Sequence, residues 1–358
     1  MKIYNVLAIA FGASIFFTWL AINVAKRFRI FDYPDRGRKI HSRPMPLLGG
    51  VAIFGAYAFA LLLNFHFSWE LKGVVIASFI LMLSGLVDDL RGLPAFARLV
   101  MQILCSLLVI GFGVRLNIVP DNLPFSCLIE VVITVIWIVG IINALNFLDG
   151  VDGLATGIAV IASGTFCIIA YQTGQQYFAF LNIALAGACL GFLVFNFPPA
   201  KIFLGDSGSS FLGFSLAALA AMGEWAEKNP IVALSIPLLI LAILIFDMVY
   251  ISISRIARRK VRTFKQWIDH VDKDHLHHRL LAMGFSPRQT ILVIYMVNMV
   301  FALAALVLKK ATTFQAILLL AQAVLVLAVL TMLMLVIRRH MDESRFYEKQ
   351  LKEIADKK

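Results

Sequence analysis

Long apolar runs separated by short polar stretches fill the chain from residue 3 to residue 337. A helix that spans a bilayer needs about 20 mostly apolar residues. On that measure the pattern predicts eleven spans, over 3–25, 46–67, 71–88, 98–116, 126–145, 153–172, 176–196, 209–224, 231–254, 289–308 and 314–337. The eighth is short, and the break between the sixth and seventh is weak. The first run is too long for a signal-peptide core, and its basic cluster follows rather than precedes it, so it reads as a retained helix. Beyond residue 337 the apolar run ends. Tyr347, Leu351 and Ile354 share one helical face in a segment of mixed charge, which predicts an amphipathic tail helix. The expected organisation is an all-α, polytopic membrane domain over 1–337 and a tail over 338–358, with no internal repeat and no soluble domain.

Composition supports this reading. The 358 residues are 61% hydrophobic and 15% charged, with mean hydropathy +0.87. A soluble domain is about half apolar and about a quarter charged, so a soluble protein of this length is excluded. The 4 Cys stand singly at 105, 127, 167 and 189 inside apolar runs. They form no CxxC pair and read as small buried hydrophobes rather than a zinc or redox motif.

Charge orients the helices. Of the 32 Lys and Arg, 26 fall in segments 26–45, 88–98, 197–208, 255–288 and 338–358, which eleven spans place on one side. The positive-inside rule makes that side cytoplasmic, with the N-terminus outside and the C-terminus inside. The net charge of +11 is then a membrane-topology signal, not a nucleic-acid footprint.

The unusual polar clusters fall on the same side, although Lys and Arg alone set the topology. Asp88 and Asp89 end the third run. Asn143, Asn146, Asp149 and Asp152 end the fifth, with Gly150 and Gly153 between and after the acids. Asn196 to Lys201 follow the seventh, then Gly205-Asp206-Ser207-Gly208-Ser209. Asp274, His275, His277, His278 and Arg279 lie in the basic loop, where four of the 7 His fall between 270 and 278. Acidic residues at a membrane edge are costly and tend to be functional. Five converging carboxylates repel unless a cation joins them, and carboxylate and amide oxygens suit Mg²⁺, or Mn²⁺, which commonly hold substrate phosphates as well. Each cluster also has a plainer reading. Asp88-Asp89 is compatible with a simple helix end. Asp149 and Asp152 share a face if helical, or belong to a turn. The segment from Gly205 is a helix N-terminus, either an anion site or merely capped. The histidines read as cationic phosphate contacts in preference to a zinc site, or as a solvated loop. Asp247, inside the ninth run, reads as a partner for a neighbouring helix.

In order and side, these residues resemble the polyprenyl-phosphate N-acetylhexosamine-1-phosphate transferases over about residues 26–337. His41-Ser42-Arg43-Pro44-Met45-Pro46 with Gly49-Gly50 looks like the family's first cytoplasmic loop, and Asp88-Asp89 like its aspartate pair. Asn146 to Asp152, Phe203 to Ser209 and His275-Leu276-His277-His278 look like its later motifs. The Asn-Phe-Pro-Pro-Ala-Lys stretch and the His-x-His-His form are similar to the GlcNAc branch. Arg98 stands where the family often has a lysine.

The resemblance implies transfer of GlcNAc-1-phosphate from UDP-GlcNAc to undecaprenyl phosphate with release of UMP, or the same chemistry on another UDP-HexNAc. Asp88 would serve the lipid phosphate, with Asp89 and Asp149 supporting the catalytic geometry. Asn146 and Asp206 would hold Mg²⁺. Phe203 would stack on uracil and Asp152 would read the nucleoside. His41 and Arg98 would contact substrate, and His275, His277, His278 and Arg279 would neutralise the diphosphate. A homodimer in the bacterial cytoplasmic membrane, working on its cytoplasmic face, is also implied. The competing class is an ion-coupled transporter. Transporter sites lie near the bilayer midplane at broken helices, whereas these carboxylates gather at one edge.

Overall fold

The computed structural model describes residues 2–34, 43–63, 68–120, 123–226, 229–257, 275–309 and 311–355, with side chains as far as Val336. His41, His270, Asp274 and most of the basic loop lie outside the described residues.

The molecule is a bundle of helices: α1 (Ile3–Phe28), α2 (Gly49–Leu62), α3 (Trp69–Arg91), α4 (Ala95–Gly111), α5 (Ser126–Leu148), α6 (Leu154–Gln172) and α7 (Gln176–Asn196), then α8 (Gly205–Met222), α9 (Pro230–Ile240), α10 (Ala242–Ala257), α11 (Leu276–Ala282), α12 (Pro287–Leu308) and α13 (Thr313–Ala355). The described extended structure is one two-residue antiparallel pair, β1 (Phe31–Asp32) on β2 (Met45–Pro46). Local sequence fixes several helix starts. Ser68 accepts the Leu71 N–H ahead of α3, and Asn229 caps α9 with Pro230 at its first position. Ser286 and Gln289 form a capping box on α12. Each supplies an acceptor to amides that have no partner inside the helix.

Each of the eleven apolar runs contains helix among the described residues, but fewer helices satisfy a spanning length. Among the described residues seven helices are long and apolar enough to cross a membrane, or eight if α9 and α10, bent by 78° at Leu241, count as one broken span. At 1.5 Å per residue, the 14 residues of α2 reach about 21 Å and the 17 of α4 about 26 Å, short of a hydrocarbon core about 30 Å thick. Hydropathy measured the apolar runs, but it did not register where the helices within them start and stop. Across residue 337, where the apolar run gives way to the tail, α13 continues as one helix to Ala355.

The core centres on α8, buried from Ser207 to Ala220. It packs on α2, α3 and α5, while α7 packs on α1 and α6. Small residues permit these approaches, as is common between membrane helices. A Cβ on Gly85 of α3 would sit 2.4 Å from the Asp206 carbonyl, and one on Gly50 of α2 would sit 2.2 Å from the Gly208 nitrogen. The start of α8 is thereby drawn against the end of α3 and the start of α2.

Candidate active site

Three helix termini bring the acidic clusters to one end of the bundle. The last turn of α3 carries Asp88 and Asp89. Asp89 accepts the Asp206 N–H at 2.7 Å through Oδ1 and the Ser207 N–H at 3.1 Å through Oδ2. The expected anion site at this helix start is therefore filled by the protein's own carboxylate, an arrangement favoured by the free amides and the helix dipole. Gly205 (φ +74°) permits the close approach, because a Cβ there would lie 2.7 Å from Asp89.

Asp88 faces the other way, as adjacent helical residues do. Its Oδ1 accepts the Leu93 N–H at 2.6 Å and its Oδ2 pairs with the Arg98 guanidinium at 3.1 Å. Arg98 remains partly open to solvent. Asp88 also lies against Asp206, close enough for their side chains to interact directly. The Asn146 amide, in the last turn of α5, donates to Asp206 Oδ1 at 2.6 Å and to Ser209 Oγ at 2.9 Å. Asp88, Arg98, Asn146 and Asp206 thus form one cluster from four helices.

Asp149 follows the last residue of α5, and the residues after it are not helical. The chain turns through residues 149–153 before α6, with Gly153 at φ +76°. Asp149 and Asp152 therefore do not share a helical face: α5 ends at Leu148, Asp149 caps it and Gly153 reverses the chain. Burial, and then the charges of Asp206, Asp89 and Asp152, hold the Asp149 carboxyl well above the usual carboxylate range. Asp152 accepts the Ala200 N–H at 2.9 Å, joining the turn to the Pro-rich loop. Phe203 is half-buried in the strand-like segment before α8, where its N–H donates to the Pro46 carbonyl.

The histidine motif opens α11. Phe147 lies 5.3 Å from the His275 ring, and the rings of His277 and His278 are 4.2 Å apart. His277 is fully buried, and its Nε2 points at Gly150, where a Cβ would sit 2.4 Å away. Burial, with His278 and His275 alongside, lowers the His277 pKa well below the usual value. His277 is therefore a neutral ring rather than the expected cation, because desolvation outweighs any benefit of charge there. Arg279, expected on the diphosphate, is buried instead. It lies over the Tyr250 ring at 5.3 Å and donates to the Met334 carbonyl, tying α11 to α10 and α13. The helical turn between His278 and Arg279 rotates the two side chains apart.

Tyr295, Arg255 and Gly85 escaped the sequence reading as organisers of the site, and Asn196 entered it only as the start of a polar stretch. Asn196 is buried, accepts the Gly153 N–H and donates to the Ile202 carbonyl, both at 2.9 Å. Tyr295 donates to the Gly153 carbonyl from α12. Arg255 places its guanidinium over Phe147 at 5.8 Å. Gly85 admits α8. A buried polar residue at the end of an apolar run was the available signal for Asn196 and Arg255. Nothing local distinguishes Gly85 or Tyr295.

A family model described as glycosyl transferase family 4 matches residues 71–224. The chain is 32% identical over 317 residues, covering 86% of each protein, to the "Probable undecaprenyl-phosphate N-acetylglucosaminyl 1-phosphate transferase" of Bacillus subtilis. The chain belongs to the polyprenyl-phosphate N-acetylhexosamine-1-phosphate transferase family. This transferase is also 31% identical to the decaprenyl-phosphate N-acetylglucosaminephosphotransferase of Mycolicibacterium smegmatis, over 78% of the chain and 75% of that protein. To the undecaprenyl-phosphate α-N-acetylglucosaminyl 1-phosphate transferase of Haemophilus influenzae it is 32% identical, over 76% and 78%. The family model ends before α11, so the histidine motif lies outside it and within the longer alignment's span of the chain.

Proposed function

We propose that the transferase moves GlcNAc-1-phosphate from UDP-GlcNAc to undecaprenyl phosphate and releases UMP, as the first membrane step of a cell-envelope polysaccharide. The observation that carries this reading is the cluster of Asp88, Arg98, Asn146 and Asp206 at one end of an apolar bundle. One substrate is a lipid anion and the other a soluble anion. A site where carboxylates, an amide and a guanidinium meet at a membrane edge suits both. The names of the relatives support the acceptor and the sugar.

The donor set fits Mg²⁺. Asp88 and Asp206 bring carboxylates together, and Asn146 adds an amide beside them. These are hard oxygen ligands that leave room for substrate phosphates. Asp206 and Asn146 would hold the ion, which supplies charge neutralisation on the diphosphate. Arg98 positions the lipid phosphate beside Asp88, and electrostatic positioning of this kind is the main lever in phosphoryl transfer. Asp88 accepts or orients the acceptor's proton. Asp152 and Phe203, fixed by the Ala200 and Pro46 backbone, receive the nucleoside. His275 and His278 face the diphosphate, and His277 packs neutral beneath them. The enzyme works as a homodimer with its N-terminus outside, the helices α2, α4 and α8 completing an eleven-helix bundle and the site on the cytoplasmic face.

The test is UMP release by purified protein. It should require UDP-GlcNAc, undecaprenyl phosphate and Mg²⁺ together. Release with UDP-GalNAc but not UDP-GlcNAc would move the donor assignment. Uptake of solute without UMP release would move the protein to a transporter class.

A further inference from the structure

Asp247 lies on α10 and is fully buried. A carboxylate in an apolar helix is costly and needs partners. It has two. His275 Nδ1 stands 2.7 Å from Oδ2, and the Leu276 N–H donates to Oδ1 at 2.8 Å. His275 is itself buried, with its ring between Phe147 and His277, the latter stacked at 5.7 Å and 13°.

We infer that Asp247 is a positioning residue of the transfer reaction, which fixes the tautomer of His275 and sets where α11 begins. This rests on the proposed transferase reading. A carboxylate only accepts, so Nδ1 must carry the proton in this pair. In the neutral form of the ring this leaves Nε2 bare, able to accept a hydrogen bond or a proton. Without Asp247, nothing in the pair chooses between tautomers. The second bond fixes the backbone of Leu276, and hence the register of the two residues that follow, His277 against Gly150 and His278 beside it. One carboxylate in α10 thus sets both the chemical state of the first histidine and the placement of the other two. The same logic, a buried carboxylate choosing a histidine tautomer, underlies the third member of hydrolase triads.

Asp247→Asn separates the two roles. The amide oxygen still accepts the Leu276 N–H, but the NH₂ now donates toward Nδ1 and drives the ring proton to Nε2. In full-length protein assayed with UDP-GlcNAc, undecaprenyl phosphate and Mg²⁺, kcat should fall by about 10²-fold, with KM for UDP-GlcNAc within about threefold and an unchanged melting temperature. In a His275→Gln background, Asp247→Asn should cost at most a further threefold or so, since coupled residues are not additive. Unchanged kcat in the single variant, or losses that multiply in the double variant, would overturn the inference. Histidine ¹⁵N spectra judge it independently of activity and of whether the variant folds. In the wild type Nδ1 of His275 should carry a proton, and a ring protonated on Nε2 alone would also overturn it. If the wild type releases no UMP, the transferase reading fails, while the spectra still decide the tautomer.

Discussion

Asp89 caps the helix that carries Asp206. Its two carboxylate oxygens accept the N–H groups of Asp206 and Ser207, and the cap links the end of α3 to the start of α8. Asp88, one residue earlier, points instead at Arg98 and the carboxylate cluster. Adjacent aspartates therefore divide the work: one holds the scaffold and the other lines the site. Asp89→Ala should lower stability by about 1–2 kcal/mol, the usual size of a lost cap, and reduce activity through displacement of Asp206. Asp89→Asn, which keeps one acceptor, should lose less of both. Thermal melting in detergent, read beside initial rates, separates the variants. Equal stability of Asp89→Ala and wild type would remove the capping role.

Asp206→Asn should leave the fold intact and remove at least about 10²-fold of activity, as expected for loss of a group that stabilises charge in the transition state. If Asp206 holds the ion with Asn146, excess Mg²⁺ should recover part of the rate in Asn146→Ala but little in Asp206→Asn. EDTA should silence the wild type, and Mg²⁺ should restore it. A rate indifferent to EDTA would exclude the metal from the reaction.

Gly150→Ala tests a close approach. The added methyl would sit 2.4 Å from Nε2 of His277, a ring already fully buried. Either the ring or the 149–153 turn must shift. Misplacement by about 1 Å can cost about 10²-fold in rate, so a fall of at least tenfold or so is expected, with the protein still inserted and folded. Full activity would show that neither His277 nor the turn needs its present position.

The sequence carried the clusters and their shared side because each is a run of polar residues at the end of an apolar run. Which way each side chain points was not legible. Asp88 and Asp89 are alike in composition, and only the packing of α8 against Gly85 assigns them different partners. The histidines looked cationic among Lys and Arg, yet His277 is buried beneath Gly150. Burial depends on how α11 folds back over the bundle, and residue counting contains no such information. Hydropathy runs unbroken across the bend at Leu241, where only Pro237, one turn earlier in α9, offers a local signal.

The state of His277 has a pH signature. Its pKa in the folded protein lies below the value of about 6.5 expected when unfolded. Below that pH the unfolded chain takes up a proton that the native ring refuses. Its contribution to stability is therefore complete above about pH 6.5 and is lost as pH falls, by at most about 1.4 kcal/mol per pH unit for one group. His277→Gln should melt with a shallower decline between pH 7.5 and 5.5 than the wild type. Parallel declines would show that His277 already titrates normally in the folded protein.

The reaction course is the last point the geometry bears on. A double displacement would make an aspartate attack the UDP-sugar first, expelling UMP before the lipid enters. That nucleophile needs an oxygen free to reach phosphorus. Both oxygens of Asp88 are engaged, one by the Leu93 N–H and one by Arg98, and both of Asp89 are engaged by α8. The lipid phosphate needs little activation, since a phosphate monoester loses its second proton near pH 6 or so. A single displacement asks less of these side chains: Asp88 keeps both contacts, orients the acceptor beside Arg98 and takes its remaining proton on a second lone pair. It predicts that lipid-depleted enzyme neither releases UMP from UDP-GlcNAc nor exchanges labelled UMP into it. Adding undecaprenyl phosphate should start UMP release without a burst. Exchange of label in rigorously delipidated enzyme would require an aspartyl-phosphate intermediate, and its loss in Asp88→Asn but not Asp89→Asn would name the nucleophile.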